Sequence, residues 1–375
     1  MENEEMNQDK EKKNLLDGLK NMNEQQENAS KKEVPANPEK EAVQDVSAPT
    51  ESQSFMQNSL NVSKVQNMAL TLKNEVNKII VGQEEMLDQM IIAMLSDGHI
   101  LLEGVPGIAK TLAAKMLSNT IDIDFSRIQF TPDLMPTDVL GTSVFNMKNS
   151  EFSFKKGPIF SNIVLIDEIN RSPAKTQSAL FEVMEEQQVT IDGKTYKMQA
   201  PFLVIATQNP VEQEGTYKLP EAQLDRFLFK IRLEYPNTTE EIQILKKFRN
   251  DFKQTQTSSV KAVVSAEDIA ACKEIIEKVH IKDELIEYIA KIVNYTRNNG
   301  DLFLGASPRA SLAIMNTAKT HAAVNGRDFV TPDDIRAMCF PVLNHRIILN
   351  PDKEMEGIIE DDVINEIIEK IEVPR

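Results

Sequence analysis

Apolar positions fall into three regimes along the chain. Through residues 1–60 they are sparse and aperiodic, scattered among Glu, Lys, Asn, Gln and Ser. Such a segment cannot bury enough apolar surface to offset its ordering entropy, so a disordered acidic tail is expected. Pro35, Pro38 and Pro49 leave room for no more than a transient helix over Lys12–Asn23. From Leu60 the pattern changes. Val65, Met68, Leu72, Val76 and Ile79-Ile80 recur at helical spacing, and Met86–Leu95 repeats it. Short continuous apolar runs then alternate with helix-length stretches. His99–Leu102, Arg127–Phe130, Ile163–Ile166, Phe202–Ala206 and Phe227–Leu233 read as strands. That alternation predicts an α/β fold with a parallel sheet covered on both faces. After Glu234 the strands stop. Thr238–Phe252, Ala266–Lys278, Asp283–Asn298, Pro308–Val324 and Pro332–Phe340 read as helices. Ser307-Pro308 and Thr331-Pro332-Asp333-Asp334 mark two helix starts, each a cap residue followed by proline at the first helical position. The expected plan is a tail over 1–60, an α/β domain over 61–236 and a smaller all-α domain over 237–375.

Composition narrows the classes. The chain has 375 residues, enough for two or more folded units. No apolar run approaches the roughly 20 residues a membrane helix needs, and the acidic start Met1-Glu-Asn-Glu-Glu is unlike a signal peptide. Cys272 and Cys339 are far apart, outside any metal-binding spacing, and read as small core residues of a cytoplasmic protein. The net charge of −16 weighs against a nucleic-acid surface, whose affinity comes mostly from neutralising phosphates with Lys and Arg.

The first chemistry-bearing motif follows the strand His99-Ile-Leu-Leu. It reads Glu103, Gly104, Val105, Pro106, Gly107, Ile108, Ala109, Lys110, Thr111, Leu112, and then continues in apolar helical period. Strand, glycine-containing loop and helix start together make a phosphate cradle. Backbone N–H groups wrap the phosphates, and the helix N-terminus adds partial positive charge. Lys110 can reach the β- and γ-phosphates of ATP, and Thr111 can offer its hydroxyl to Mg²⁺. Ala109 stands where the usual pattern has glycine, so that residue must take a backbone conformation open to ordinary side chains.

Asn162-Ile-Val-Leu-Ile166-Asp167-Glu168 puts two carboxylates at the end of a buried strand. Successive strand residues point apart, so the two cannot share a role. Asp167 suits the Mg²⁺ shell and Glu168 the polarising of an attacking water. Asn209 ends another buried strand, where a neutral amide could hold that water or a γ-phosphate oxygen. A turn Asn before Pro210 is the plainer alternative. Arg226 and Arg309 are further candidates, since an arginine aimed at a γ-phosphate raises rates by powers of ten. A surface ion pair is the alternative for each.

Taken together the motifs resemble the MoxR family of AAA+ ATPases. The carrying residues are Leu101–Thr111, Asp167–Gln177, Ala206–Pro210, Leu219–Phe227 and Gly305–Ala310, and the likeness runs from about Val65 to the C-terminus. The resemblance implies a five-stranded parallel P-loop core with an all-α lid, and an enzyme that hydrolyses ATP to remodel, mature or activate a partner protein. By the same resemblance Val81, Gly82 and Gln83 line the adenine pocket, Asn209 is a γ-phosphate sensor, and Arg309 is a lid sensor closing on the same nucleotide. Arg226 becomes an arginine finger acting on a neighbouring subunit, which implies a homo-oligomeric ring, usually a hexamer. Family members typically work with clients bearing von Willebrand factor A-type domains. Asp133–Asn162 would be an insertion in helix 2, and Val189–Tyr196 carries an Asp-Gly hairpin signal of its own. A nucleotide-gated scaffold without useful turnover, and a DNA-acting AAA+ protein, are the competing readings. The intact Asp167-Glu168 pair argues against the first and the acidic balance against the second.

Overall fold

The computed structural model describes residues 51–105, 107, 110–148, 150–210, 217–249 and 260–374, with only the backbone given for 51–61. The expected tail over 1–60 falls outside the described residues up to position 50, and so do Pro106, Ile108 and Ala109 of the cradle.

Helix α1 (Glu51–Asn77) begins ahead of the pattern change at Leu60 and buries Val62, Val65, Met68, Ala69, Leu72 and Val76 at helical spacing. Helix α2 (Glu84–Leu95) buries almost every residue from Met86 on, as expected of a helix apolar all round. The sheet follows. Strands β1 (Ile100–Gly104), β2 (Phe125–Gln129), β5 (Ile163–Asp167), β8 (Leu203–Gln208) and β9 (Phe229–Leu233) stand in the order β2-β5-β8-β1-β9, all parallel. In register, Ile100 faces Ile205 and Phe229, and Gln129 faces Asp167. Gly104, Gln129, Asp167 and Gln208 therefore all end at one edge.

Alternate strand residues serve two cores. Ile100, Leu102, Ile163, Leu165, Leu203 and Ile205 join α1, α2, α3 (Lys110–Asn119) and the C-terminal helices in one continuous cluster. Leu101, Val164, Ile166, Val204 and Ala206 face the other way, onto Phe130, Phe181 and Phe227. Here Phe181 belongs to α5 (Ala174–Glu186).

The stretch that broke the rhythm, Asp133–Asn162, resolves into the short α4 (Pro136–Leu140) and an antiparallel hairpin, β3 (Gly141–Asn146) with β4 (Glu151–Lys156). Gly141 has φ +100, and a Cβ there would meet the Lys155 carbonyl at 2.3 Å, so the base of this hairpin requires glycine. The second hairpin, β6 (Gln188–Ile191) with β7 (Lys194–Lys197), turns through Asp192 and Gly193, both at positive φ.

Beyond α6 (Glu221–Leu224) and β9 come α7 (Thr238–Phe248), α8 (Ala266–Glu277), α9 (Asp283–Arg297), α10 (Pro308–Val324) and α11 (Pro332–Leu343). Two features depart from the sequence reading. β10 (Leu302–Leu304) and β11 (Ile348–Leu349) pair antiparallel inside the expected all-helical region. After α12 (Pro351–Met355), helix α13 (Glu360–Lys370) buries Val363, Ile364, Ile367 and Ile368, a period the reading passed over. Cys272 and Cys339 are buried, as expected. No described helix is long and apolar enough to cross a membrane.

Candidate active site

The cradle grows out of the central strand. β1 delivers Gly104 at the C-terminal edge of the sheet, and α3 starts at Lys110. Gly107 between them has φ +91, a conformation glycine adopts at no steric cost. The Lys110 ammonium donates to the carbonyl of Gly104 at 2.5 Å and to that of Gln208 at 3.4 Å. It therefore sits between the ends of β1 and β8.

One strand further along, Asp167 is buried at the end of β5. Its Oδ1 accepts from the hydroxyls of Thr111 and Thr207, each at 3.3 Å, and its Oδ2 takes the Arg127 Nε–H at 2.6 Å. Thr111 and Asp167, the two residues assigned to Mg²⁺ from the sequence, are thus brought together. Two convergent oxygens, one on a buried strand end and one in the first turn of α3, suit a hard cation that keeps several of its waters. The residues present fit that ion.

Glu168, just past the end of β5, points elsewhere. Its backbone is left-handed (φ 59, ψ 53), unusual for a residue other than glycine and typical of functional sites. Its N–H is held by the Thr207 hydroxyl at 3.0 Å. Gln129 Nε2 donates to its Oε2 at 2.7 Å, and Arg171 Nε lies 3.1 Å from the same oxygen. Asn209, just past β8, is buried.

Beside these strand ends a cavity of about 700 Å³ opens along α2, the end of β9 and α11. Gln83, Met86, Leu233, Tyr235, Asn237 and Phe340 are among its lining residues. Its size falls in the range of ligand sites. Gln83 lines it from left-handed backbone, directly after Gly82, which is also at positive φ, and Gln83 Nε2 donates to the Glu234 carbonyl at 3.5 Å.

The two arginines are not here. Arg226 precedes β9, and in the parallel register Phe229 stands beside Ile100, so Arg226 lies at the N-terminal edge of the sheet. Its Nη1 is 2.5 Å from Glu185 Oε2 and donates to the Phe181 carbonyl at 2.7 Å. Arg309 Nη2 reaches the other oxygen of Glu185 at 2.8 Å. This corrects one expectation. Arg309 does not close on the nucleotide of its own chain, because α10 is docked at the opposite edge, a strand length or roughly 13 Å away. The docking is specific. Arg346, buried, binds Asp225 Oδ1 at 2.7 Å and the carbonyls of Phe227 and Leu228, while Asp225 Oδ2 accepts from Ser307 at 3.3 Å. His345 Nε2 also bonds the Phe227 carbonyl at 3.0 Å.

Sequence reasoning missed Arg127, Gln129, Thr207, Glu185 and Asp225. Thr207 and Asp225 could have been found, because they lie inside the quoted Ala206–Pro210 and Leu219–Phe227 runs. The other three have partners 39 to 124 positions away in the chain, a proximity that no local spacing reveals.

Residues 99–229 match the profile of the ATPase family associated with various cellular activities (AAA), and residues 294–367 match that of the AAA lid domain. The uncharacterized protein YeaC of Bacillus subtilis is 46% identical over 299 residues, covering 80% of this chain and 92% of that protein. Chaperone MoxR1 of Mycobacterium tuberculosis is 44% identical over 310 residues, covering 80% of this chain and 81% of its own length. The crystal structure of a Cytophaga hutchinsonii protein assigned as an ATPase superposes with a TM-score of 0.77 at 45% identity, over 87% of this chain and 99% of that one.

Proposed function

This chain belongs to the MoxR family of AAA+ ATPases and hydrolyses ATP in a chaperone-like role, and we propose that it couples hydrolysis to remodelling or activating a client protein. The observation that carries the catalytic reading is the meeting of Lys110 and Thr111, at the start of α3, with the ends of β8 and β5, the latter carrying Asp167. The N–H groups of Val105, Gly107, Lys110, Thr111 and Leu112 wrap the phosphates. Lys110 places a positive charge on the β- and γ-phosphates. Thr111 and Asp167 would hold Mg²⁺, which would neutralise charge developing on the phosphate oxygens. Glu168 accepts a proton from the attacking water as the bond to the leaving diphosphate breaks. Asn209 contacts the γ-phosphate or that water. Gln83, with Val81 and Gly82 just ahead of it in the chain, faces the base across the 700 Å³ cavity that it lines.

Arg226 and Arg309, facing away from this cradle, act on the nucleotide of a second copy, so that the assembly is a homo-oligomeric ring, hexameric in the usual family manner. The client is a cytoplasmic protein bearing a von Willebrand factor A-type domain. Glu168→Gln tests the reading. ATP turnover is expected to fall by about a hundredfold to ten-thousandfold while bound ATP is retained. Unchanged turnover would remove Glu168 from its role. The same ATP-locked variant, used as bait, is expected to retain the client, and recovery of proteins without such a domain would overturn that assignment.

A further inference from the structure

Arg226 and Arg309 come from different parts of the chain. The first stands between α6 and β9, and the second opens α10. One carboxylate joins them, with Glu185 Oε2 on Arg226 and Oε1 on Arg309. Glu185 lies one helical turn after Phe181, whose carbonyl also takes Arg226, so the last turn of α5 grips that arginine twice. Cations are favoured there, because a helix C-terminus carries partial negative charge. The end of α5 is itself pinned, since the His99 ring bonds the Met184 carbonyl at 3.0 Å. Asp225 backs the arrangement at 3.7 Å from Arg309 Nη1.

We propose that Glu185 is a positioning residue for the shared site, holding Arg226 and Arg309 as one unit so that both meet the triphosphate of a second copy together. This rests on the reading of those arginines as acting between copies. A guanidinium has five N–H donors, and Glu185 engages few of each, leaving others for phosphate oxygens. Without the carboxylate, two like charges on long side chains repel and stray. Glutamine is no substitute, because its amide offers one acceptor oxygen and turns an NH₂ toward the second guanidinium.

The test is steady-state ATP turnover by the full chain carrying Glu185→Gln or Glu185→Ala. The maximal rate is expected to drop about tenfold to a hundredfold, the scale of a small misplacement of catalytic groups. ATP affinity is expected to stay the same, since Glu185 stands at the far edge from the cradle. Adding Arg309→Ala to Glu185→Ala is expected to lose little beyond the worse single change. Mixing Glu185→Ala with Glu168→Gln is expected to restore turnover, because about a quarter of random head-to-tail junctions then pair an intact cradle with an intact arginine pair. Wild-type rates in the Glu185 variants, while Arg226→Ala and Arg309→Ala lose theirs, would overturn the inference and leave the shared site standing. Normal turnover in the arginine variants would defeat the shared site itself. Absence of recovery on mixing, or loss of rate together with ATP binding and a lowered melting temperature, would reduce Glu185 to a structural ion pair.

Discussion

At the residue scale, His99 ties the chemistry of the sheet's far edge to pH. Its Nδ1 accepts the Val204 N–H at 3.1 Å and its Nε2 donates to the Met184 carbonyl, so the ring is neutral with the proton on Nε2. Burial pushes its pKa down to about 4. An unfolded histidine titrates near 6.5, so between those values the unfolded chain binds the proton more readily and acid favours unfolding. The contribution is complete above about pH 6.5 and falls by up to ~3 kcal/mol as pH drops through 4. Denaturant titrations at a series of pH values should therefore show a shallower acid decline for His99→Gln than for the parent. His345 is also pushed well down, by burial and by the adjacent Arg346, and will keep part of the slope in the variant. At the other edge, Arg127→Ala removes the guanidinium from Asp167 Oδ2 and leaves Thr111 and Thr207 in place. ATP turnover is expected to survive within about tenfold, whereas Asp167→Ala is expected to abolish it, a contrast read from rates at saturating Mg²⁺.

At the element scale, what was legible depended on whether the signal was local. The strands at Ile163–Ile166 and Phe202–Ala206 announced themselves because four or five consecutive apolar residues can only be buried on both faces, and each of the five strands proved to pair within a residue or two of its expected range. The Asp192-Gly193 turn and the Ser307 and Thr331 caps were equally local. The β3–β4 hairpin was not. Its exposed Val144, Phe145 and Phe152 alternate poorly with its polar residues, and its register is set by Gly141 against Lys155. The candidate site divides along the same line. The cradle and Asp167-Glu168 are contiguous motifs, whereas the position of Arg309 depends on how α10 docks, through Asp225 and Arg346. The start of α11 shows the limit well. Thr331 and Asp334 were read as a cap, but Asp334 is also fully buried beneath Arg327, which bonds both its oxygens, and beside His321 Nδ1 at 2.6 Å. Despite burial, those partners hold the carboxyl well below the usual range. Its stabilisation is therefore complete above about pH 4 and is lost only as pH falls toward the lower folded value. Asp334→Ala is expected to cost about 3 to 5 kcal/mol in urea unfolding at neutral pH, because it strands Arg327 at a half-buried site.

At the scale of the whole molecule, the parallel sheet keeps two sets of charges apart. Lys110, Thr111 and Asp167 gather where strands end, and Arg226, Arg309 and Glu185 where they begin. In sedimentation velocity, Glu168→Gln with ATP is expected to run as a species several times the mass of the single chain. Adding Arg226→Glu, which sets a negative charge against the neighbour's phosphates, is expected to return it toward the monomer. Equal sedimentation of the two would contradict the head-to-tail reading.

That separation has an arithmetic consequence. Copies stacked cradle to arginine form a row with unlike ends, and the last cradle in any row faces solvent instead of arginines. A pair of copies then runs one site between them, and longer rows waste a smaller share, but only a row that meets its own tail runs every site. Specific activity should accordingly climb with concentration past the point where pairing is complete. In a closed circuit a copy defective in its cradle or in its arginines silences one site, and only a copy defective in both silences its neighbour's site as well as its own.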